Sequence, residues 1–101
     1  MISPTKRGRI VELKAESLFL EAGFEVFTNV AADGPADLVV WDGKNFYPID
    51  TKKVQRYVKA DESVGYSYSK KMDPDVFYLG HNEQDGWMWL SEPPEALSDL
   101  F

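Results

Sequence analysis

The segment 37–52 reads DLVVWDGKNFYPIDTK and contains two apolar runs on either side of a polar turn. Leu38–Trp41 is short and continuously apolar, which is typical of a strand covered on both faces. Residues 42–45 have the composition of a tight hairpin turn, and Phe46–Lys53 returns as the partner strand. The segment therefore predicts two neighbouring antiparallel strands.

A helix and a further strand are predicted on the amino-terminal side of this hairpin. Ser3 and Pro4 suit the N-cap and the first helical position, since proline has no N–H group to lose there. Apolar side chains then recur at steps of three and four over about five turns, and Gly23 supplies a left-handed stop. Residues 24–30 alternate in the manner of a strand, and residues 31–35 form a turn-rich loop.

The second half of the chain is predicted to add two strands and a segment that is harder to interpret. Residues 54–58 are compatible with a helix, and residues 63–69 look like a mobile loop. Residues 76–79 and 87–90 predict short strands joined by a turn, and a helical turn is predicted near Pro94. This order of elements predicts an α/β domain, or an α+β one, in which helices pack on a mixed sheet.

The composition agrees with a single globular domain spanning residues 1–101. The chain is 44% hydrophobic and 28% charged, which is ordinary for a folded protein. It has no cysteine, which excludes disulfides and thiolate metal sites and fits a reducing cytosol. No apolar run approaches the roughly 18 residues that a membrane span needs, and no signal peptide is recognisable. We therefore expect a soluble, cytoplasmic protein without a membrane partner.

Charge is distributed unevenly along the chain. The formal net charge is −6, yet all 11 lysines and arginines fall within residues 1–71, where 10 acids leave a net +1. Residues 72–101 hold seven acids and no base. The net negative charge weakens the case for tight contact with nucleic acid phosphates. The asymmetry keeps that case open, because it allows one surface to be neutral or basic.

Acids and a lysine occur together in the predicted hairpin. Asp37 opens one strand, and Asp50 and Lys52 share a face of the next, because side chains at positions i and i+2 of a strand point the same way. Two carboxylates and a main-chain carbonyl, here that of Thr51, suffice as protein ligands for Mg²⁺. Glu12, on the predicted helix, is a candidate ligand for the same ion or a second one. The simpler interpretation is a solvated charge on a strand or helix surface for Glu12, Asp50 and Lys52, and a turn or capping residue for Asp37.

A divalent ion at this position would suit phosphodiester hydrolysis. The ion would polarise the phosphate and lower the pKa of a bound water. Lys52 would orient or deprotonate that water and offset the charge of the pentavalent phosphorane. The candidate catalytic residues are therefore Glu12, Asp37, Asp50 and Lys52.

Four motifs follow one another at defined spacing: RGRIVELKAE at 7–16, GFEVF at 23–27, ADLVV at 36–40 and IDTK at 49–52. Together they resemble the PD-(D/E)xK nuclease superfamily, above all its Holliday-junction resolvases and small intron-encoded endonucleases. In that family the helical Glu lies eleven residues before a Gly-aromatic pair, the position of Glu12 relative to Gly23, whereas Glu16 does not have that spacing. The resemblance implies a restriction-endonuclease-like mixed sheet flanked by helices. It also implies Mg²⁺-dependent cleavage of DNA that leaves 5′-phosphate ends, with Mn²⁺ as a substitute metal.

The sequence departs from the family pattern in two places. Proline lies two residues before Asp37 instead of one, and Asp50 stands where Glu is more common. The resemblance covers residues 5–55, and the remaining half matches only as generic strands. If the chain binds DNA, the basic residues expected to contact it are Lys6, Arg7, Arg9, Lys53 and Arg56. The first three are equally compatible with a charged helix start.

Substrate and assembly are less constrained by the sequence. No target-recognition domain is visible, which favours structure-selective cleavage, but junction resolution, site-specific cleavage and nicking are not distinguished. A non-catalytic DNA- or protein-binding module on the same fold is the main alternative, and the acidic composition favours it. Because one site cuts one strand, we expect a homodimer or higher even oligomer, formed largely through the apolar side chains of residues 76–101.

Overall fold

The computed structural model describes residues 2–28 and 36–101, and its first element is a long helix, α1, at Pro4–Glu21. The Ser3 hydroxyl caps this helix by accepting a hydrogen bond from the Lys6 amide at 3.2 Å. Gly23 ends the turn after it with a φ of +94°, in the left-handed region that favours glycine. Both predicted helix boundaries are therefore confirmed. In the described part of the chain, no helix is long and apolar enough to span a membrane.

The strands that follow lie at Glu25–Thr28 (β1), Leu38–Trp41 (β2), Phe46–Lys53 (β3), Gln55–Val58 (β4), Val64–Ser67 (β5), Phe77–Asn82 (β6) and Gly86–Trp89 (β7). They form a five-stranded sheet in the order β1-β2-β3-β6-β7 and a separate two-stranded sheet of β4 and β5. In the larger sheet β3 and β6 run parallel, and the other neighbouring pairs are antiparallel. The predicted mixed α/β fold is confirmed. The connection from β3 to β6, residues 54–76, is a crossover that contains the small sheet.

β2 and β3 form the predicted hairpin, with Leu38 opposite Ile49. Asp42 closes its turn, because Oδ1 accepts hydrogen bonds from the amides of Lys44 at 2.8 Å and Asn45 at 2.6 Å. These bonds satisfy main-chain donors that the turn would otherwise leave to water. The turn therefore fixes the register in which the two strands meet.

The other strands agree with the sequence where they can be compared. β1 confirms the strand predicted at residues 24–30 as far as Thr28, while the rest of it and the loop predicted at residues 31–35 lie outside the described residues. β6 and β7 confirm the two strands predicted in the second half, and Gly86 has the positive φ that their turn needs. The terminal helical turn near Pro94 is a 3-10 helix at Glu95–Leu97.

The helix predicted at residues 54–58 and the loop predicted at residues 63–69 were wrong. Both segments belong to a β-hairpin, in which Tyr57 lies opposite Gly65 and Val58 opposite Val64. Cross-strand pairing satisfies the main-chain groups of both segments. A helix confined to residues 54–58 would have left most of these main-chain groups unpaired, because short isolated helices are marginal in water.

One face of the larger sheet is covered by α1 and the carboxyl-terminal segment. The core at this face consists of fully buried side chains from α1, the strands and the 3-10 helix, namely Ala15, Phe19, Leu38, Val40, Ile49, Leu79 and Leu97. Among the partly buried side chains packed against them are Phe77, Trp87, Trp89 and Leu100. Many apolar residues of the second half therefore serve the chain's own core. Asp50 and Lys52 alternate with Ile49 and so belong to the opposite face of β3.

Candidate active site

The β2–β3 hairpin places Asp37 beside Asp50. Asp37 immediately precedes β2, and its amide donates a hydrogen bond to the Ile49 carbonyl at 2.9 Å. Leu38 lies opposite Ile49 in this antiparallel pair. Asp37, which precedes Leu38, therefore lies beside Asp50, which follows Ile49. The local geometry of one hairpin is therefore enough to bring the two predicted carboxylates together.

Hydrogen bonds from the neighbouring strand orient the Asp37 carboxylate. Its Oδ2 atom accepts one hydrogen bond from the Thr51 amide and one from the Thr51 hydroxyl, each at 2.8 Å. These bonds do not involve the Thr51 carbonyl, which the sequence suggested as a metal ligand. Thr51 therefore acts in this structure through its amide and hydroxyl, which hold Asp37 against β3.

Asp50 is half-buried, and its surroundings oppose ionisation. Burial is the largest cause that raises its pKa, to about 7 from an ordinary value of 3.8. The negative charge of Asp37 and a hydrogen bond between the two carboxyl groups raise it further, and Glu12 adds to the effect. Lys52 acts in the opposite direction. Two carboxyl groups thus share a site in which one positive side chain only partly offsets their repulsion.

This raised pKa predicts a gain in stability when Asp50 is replaced with Asn. Because the pKa is higher in the folded protein than in an unfolded chain, protonation favours folding. That contribution is complete below about pH 4 and is lost as the pH rises through about 7. Asp50→Asn removes the loss, so at pH 8 in EDTA we expect the variant to be more stable by about 2 kcal/mol, a figure reduced for partial solvent exposure.

Urea unfolding of both proteins at pH 4 and pH 8 measures this difference. The two proteins should have similar stability at pH 4 and separate as the pH rises. A wild-type protein that keeps its full stability at pH 8 would show that Asp50 ionises without cost.

Lys52 is held on two sides. Its Nζ donates a hydrogen bond to the Lys71 carbonyl at 3.3 Å and lies 4.9 Å from the centre of the Tyr78 ring. Tyr78 is opposite Asp50 in the parallel β3–β6 pairing, and its hydroxyl accepts a hydrogen bond from the Asp73 amide at 2.7 Å. Lys71 and Tyr78 are site residues that sequence reasoning missed.

Glu12 lies near enough to Asp50 for its charge to act there, but its closest ionic partner is different. Its carboxylate pairs with the Arg9 guanidinium at 3.1 Å, one helical turn earlier. In residues 2–28 and 36–101, no three His, Cys, Asp or Glu side chains lie close enough together to hold a metal ion by themselves. Asp37 and Asp50 therefore form a two-carboxylate site, with Glu12 at its edge.

The five basic residues expected to contact DNA lie in two groups. Lys6, Arg7 and Arg9 are exposed on the first turns of α1. Lys53 is exposed at the end of β3, and Arg56 follows in β4, where its guanidinium pairs with Asp85 at 3.4 Å. The Arg9–Glu12 ion pair links the first group to the edge of the carboxylate site.

Comparison with known proteins relates this arrangement to a solved fold. Neither a family model nor a curated protein matches the sequence. Among solved structures, the bacterial homing endonuclease I-Ssp6803I superimposes with a TM-score of 0.67 over 94% of this chain and 80% of that chain, at 16% sequence identity. The five-stranded mixed sheet with its packed helix therefore has the fold of that homing endonuclease.

Proposed function

We propose that this chain is a metal-dependent DNA endonuclease of the PD-(D/E)xK superfamily. The observation that carries the proposal is the pair of carboxyl groups, Asp37 and Asp50, which the hairpin brings together beside Lys52. Such a pair is electrostatically unfavourable until a cation joins it. The fold shared with a homing endonuclease supports DNA as the substrate.

Asp37, Asp50 and the Thr51 carbonyl would hold Mg²⁺, or Mn²⁺ in its place. Carboxylate and carbonyl oxygens are the ligands that Mg²⁺ prefers, and it retains several waters, so three protein ligands are enough. The raised pKa of Asp50 supports this fit, because a divalent cation would offset both its causes, burial of the carboxyl group and repulsion by Asp37. Glu12 would contribute from the helix, directly or through water. When bound, the ion would polarise the scissile phosphate and make water a stronger acid.

Lys52 would act on the attacking water. Its ammonium group is already oriented by the Lys71 carbonyl and the Tyr78 ring, so little reorganisation is needed when substrate arrives. From that position it would hydrogen-bond the water and offset the negative charge of the phosphorane. Thr51 supports the same geometry by fixing Asp37 through two hydrogen bonds.

Incubation with a panel of DNAs tests the proposal. The panel contains supercoiled plasmid, linear duplex, nicked duplex and a four-way junction, each with Mg²⁺, Mn²⁺ or EDTA. We expect cleavage with either metal and none in EDTA, with the junction cut in preference to a linear duplex of arbitrary sequence. A protein that binds these DNAs and leaves all of them intact would be the non-catalytic binding module that its net charge of −6 favours.

Double-strand cleavage would require two copies of this site, so we propose a homodimer or higher even oligomer formed through residues 76–101. In that segment Phe101 is 47% exposed and stacks on Trp89 at 5.7 Å between ring centres. Light scattering at micromolar concentration should give an even multiple of the 11.5 kDa chain mass. A monomer that makes double-strand cuts would contradict this expectation.

A further inference from the structure

β4 and β5, with the turn between them, form a ribbon that we call the arm (residues 55–67). In the described part of the chain its strands pair with each other and not with the larger sheet. Its base is fixed, because the Val54 main-chain amide donates to the His81 carbonyl at 3.0 Å and the Val54 carbonyl accepts from the buried side-chain amide of Asn82 at 2.8 Å. Apart from Gly65, all residues of its two strands are exposed. The arm therefore extends from an anchored base into solvent.

Positive charge is concentrated in the segment 53–71, mainly in the flanks of the arm, because Arg56 and Lys59 within the arm are matched by Asp61 and Glu62. Residues 53–71 contain five lysines and arginines and two acids, whereas the rest of the chain contains six bases and fifteen acids. A polyanion is therefore attracted to this segment and repelled by most of the remaining surface. The lysines of the flanks, Lys53, Lys70 and Lys71, therefore favour a polyanion as the partner that passes the base of the arm.

Both ends of the arm return to the candidate active site. β4 begins three residues after Lys52. The segment that follows β5 brings the Lys71 carbonyl to 3.3 Å from the Lys52 ammonium. A polymer bound along the arm would therefore also pass Asp50 and Lys52, so the arm is placed to determine which phosphate reaches them.

The two faces of the arm carry different side chains. On one face Arg56 pairs with Asp85 at 3.4 Å and so turns towards the β6–β7 turn. On the other face Gln55 and Tyr57 are exposed, and Lys59 continues the same alternation. The outward face thus presents an amide, a phenol and an ammonium group in a row.

Gly65 determines how Tyr57 is presented on that face. It lies opposite Tyr57, and a methyl group at this position would overlap the phenol ring. The absence of a side chain lets the ring lie across the ribbon. Gln55 and Lys59, two residues before and after Tyr57, are exposed on either side of it along the chain.

We propose that the arm enters the major groove of duplex DNA and reads base edges with Gln55, Tyr57 and Lys59. The major groove is about 12 Å wide and admits a two-stranded ribbon. Glutamine can pair at two points with adenine, lysine can donate to the acceptors of guanine, and a phenol can donate or accept. This inference rests on the proposed function, which supplies DNA as the polyanion.

Selection from a randomised duplex library tests the arm without any need for cleavage, in an Asp50→Asn background. The unaltered arm should enrich a short base motif. Gln55→Ala should lower the preference at one position of that motif about tenfold, the effect of losing one two-point contact, and change the affinity for unselected duplex less than about threefold. Lys59→Ala should relax a different position. Its matched control, Lys44→Ala, removes an exposed lysine from the β2–β3 turn and should leave the motif unchanged.

The possible outcomes separate this inference from the proposed activity. A motif that depends on Gln55 and Lys59 supports the inference, whether or not the wild-type protein cuts DNA. If no motif is enriched, or if both arm variants enrich the parent motif, the inference fails even where the wild-type protein cleaves. A uniform loss of affinity for all sequences would also overturn it, because that result assigns the arm to phosphate contact alone.

Discussion

Alanine at either Asp37 or Asp50 is expected to abolish DNA cleavage at millimolar Mg²⁺ and to leave DNA binding intact. Each substitution removes one of the two carboxylates proposed to hold the metal. A metal acting on a phosphate contributes several kcal/mol to the transition state, so its loss should lower the rate at least about a thousandfold. Binding should be unchanged or slightly tighter, because a negative charge that repels phosphates has been removed.

The structure allows a charge effect at Asp37 to be separated from a folding effect. Asp37→Asn keeps a side-chain oxygen that can accept the two Thr51 hydrogen bonds but has no negative charge. It should fold like the wild type and be as inactive as Asp37→Ala. Asp99→Ala, which removes an exposed aspartate, is the matched control and should cleave normally. Wild-type turnover by either active-site variant would refute the assignment of the metal ligands.

Lys52→Ala is expected to lower the cleavage rate by about 10²- to 10⁴-fold with little change in DNA affinity. It removes the group proposed to orient the water and to stabilise the phosphorane, and contributions of that kind have this size. Single-turnover kinetics at saturating protein measure the chemical step apart from binding. Lys44→Ala, on the same hairpin, controls for the loss of one positive charge.

Lys52→Arg distinguishes a chemical role from simple charge. Guanidinium keeps its proton and presents its donors in a different geometry, so the arginine variant should recover little of the rate. Recovery to near the wild-type rate would indicate that Lys52 contributes charge alone. Normal kinetics in the alanine variant would assign Lys52 to the structure, as the partner of the Lys71 carbonyl.

The parts of the site that the sequence predicts are those within one hairpin. The turn at residues 42–45 couples the neighbourhoods of Asp37 and Asp50 through local register, and period-two alternation places Lys52 on the face of Asp50. Ser3 and Gly23 likewise mark the ends of α1, because caps are local chemistry. Each of these predictions needed only neighbouring residues.

The residues that were missed depend on pairing between distant segments. The Tyr78 ring lies beneath the Lys52 ammonium group because β6 runs parallel to β3 in one particular register. The sequence of neither strand specifies that register by itself. The arm was missed for a different reason, because the sequence does contain a strand pattern there. Residues 63–69 read SVGYSYS, where valine and tyrosine alternate with serine and glycine at the period of a strand. The small polar positions obscured that alternation.

The parallel pairing of β3 with β6 makes residues 54–76 a crossover, and this position frees the arm from most folding constraints. The entropy of closing such a loop grows only with the logarithm of its length, so doubling or halving it would change stability by roughly 0.6 kcal/mol. Val54 anchors the base, while the exposed strands beyond it add nothing to the main core. Insertions, deletions and substitutions beyond that anchor can therefore accumulate without unfolding the domain. Descendants of this chain could change what the arm contacts while the carboxylate hairpin stays as it is.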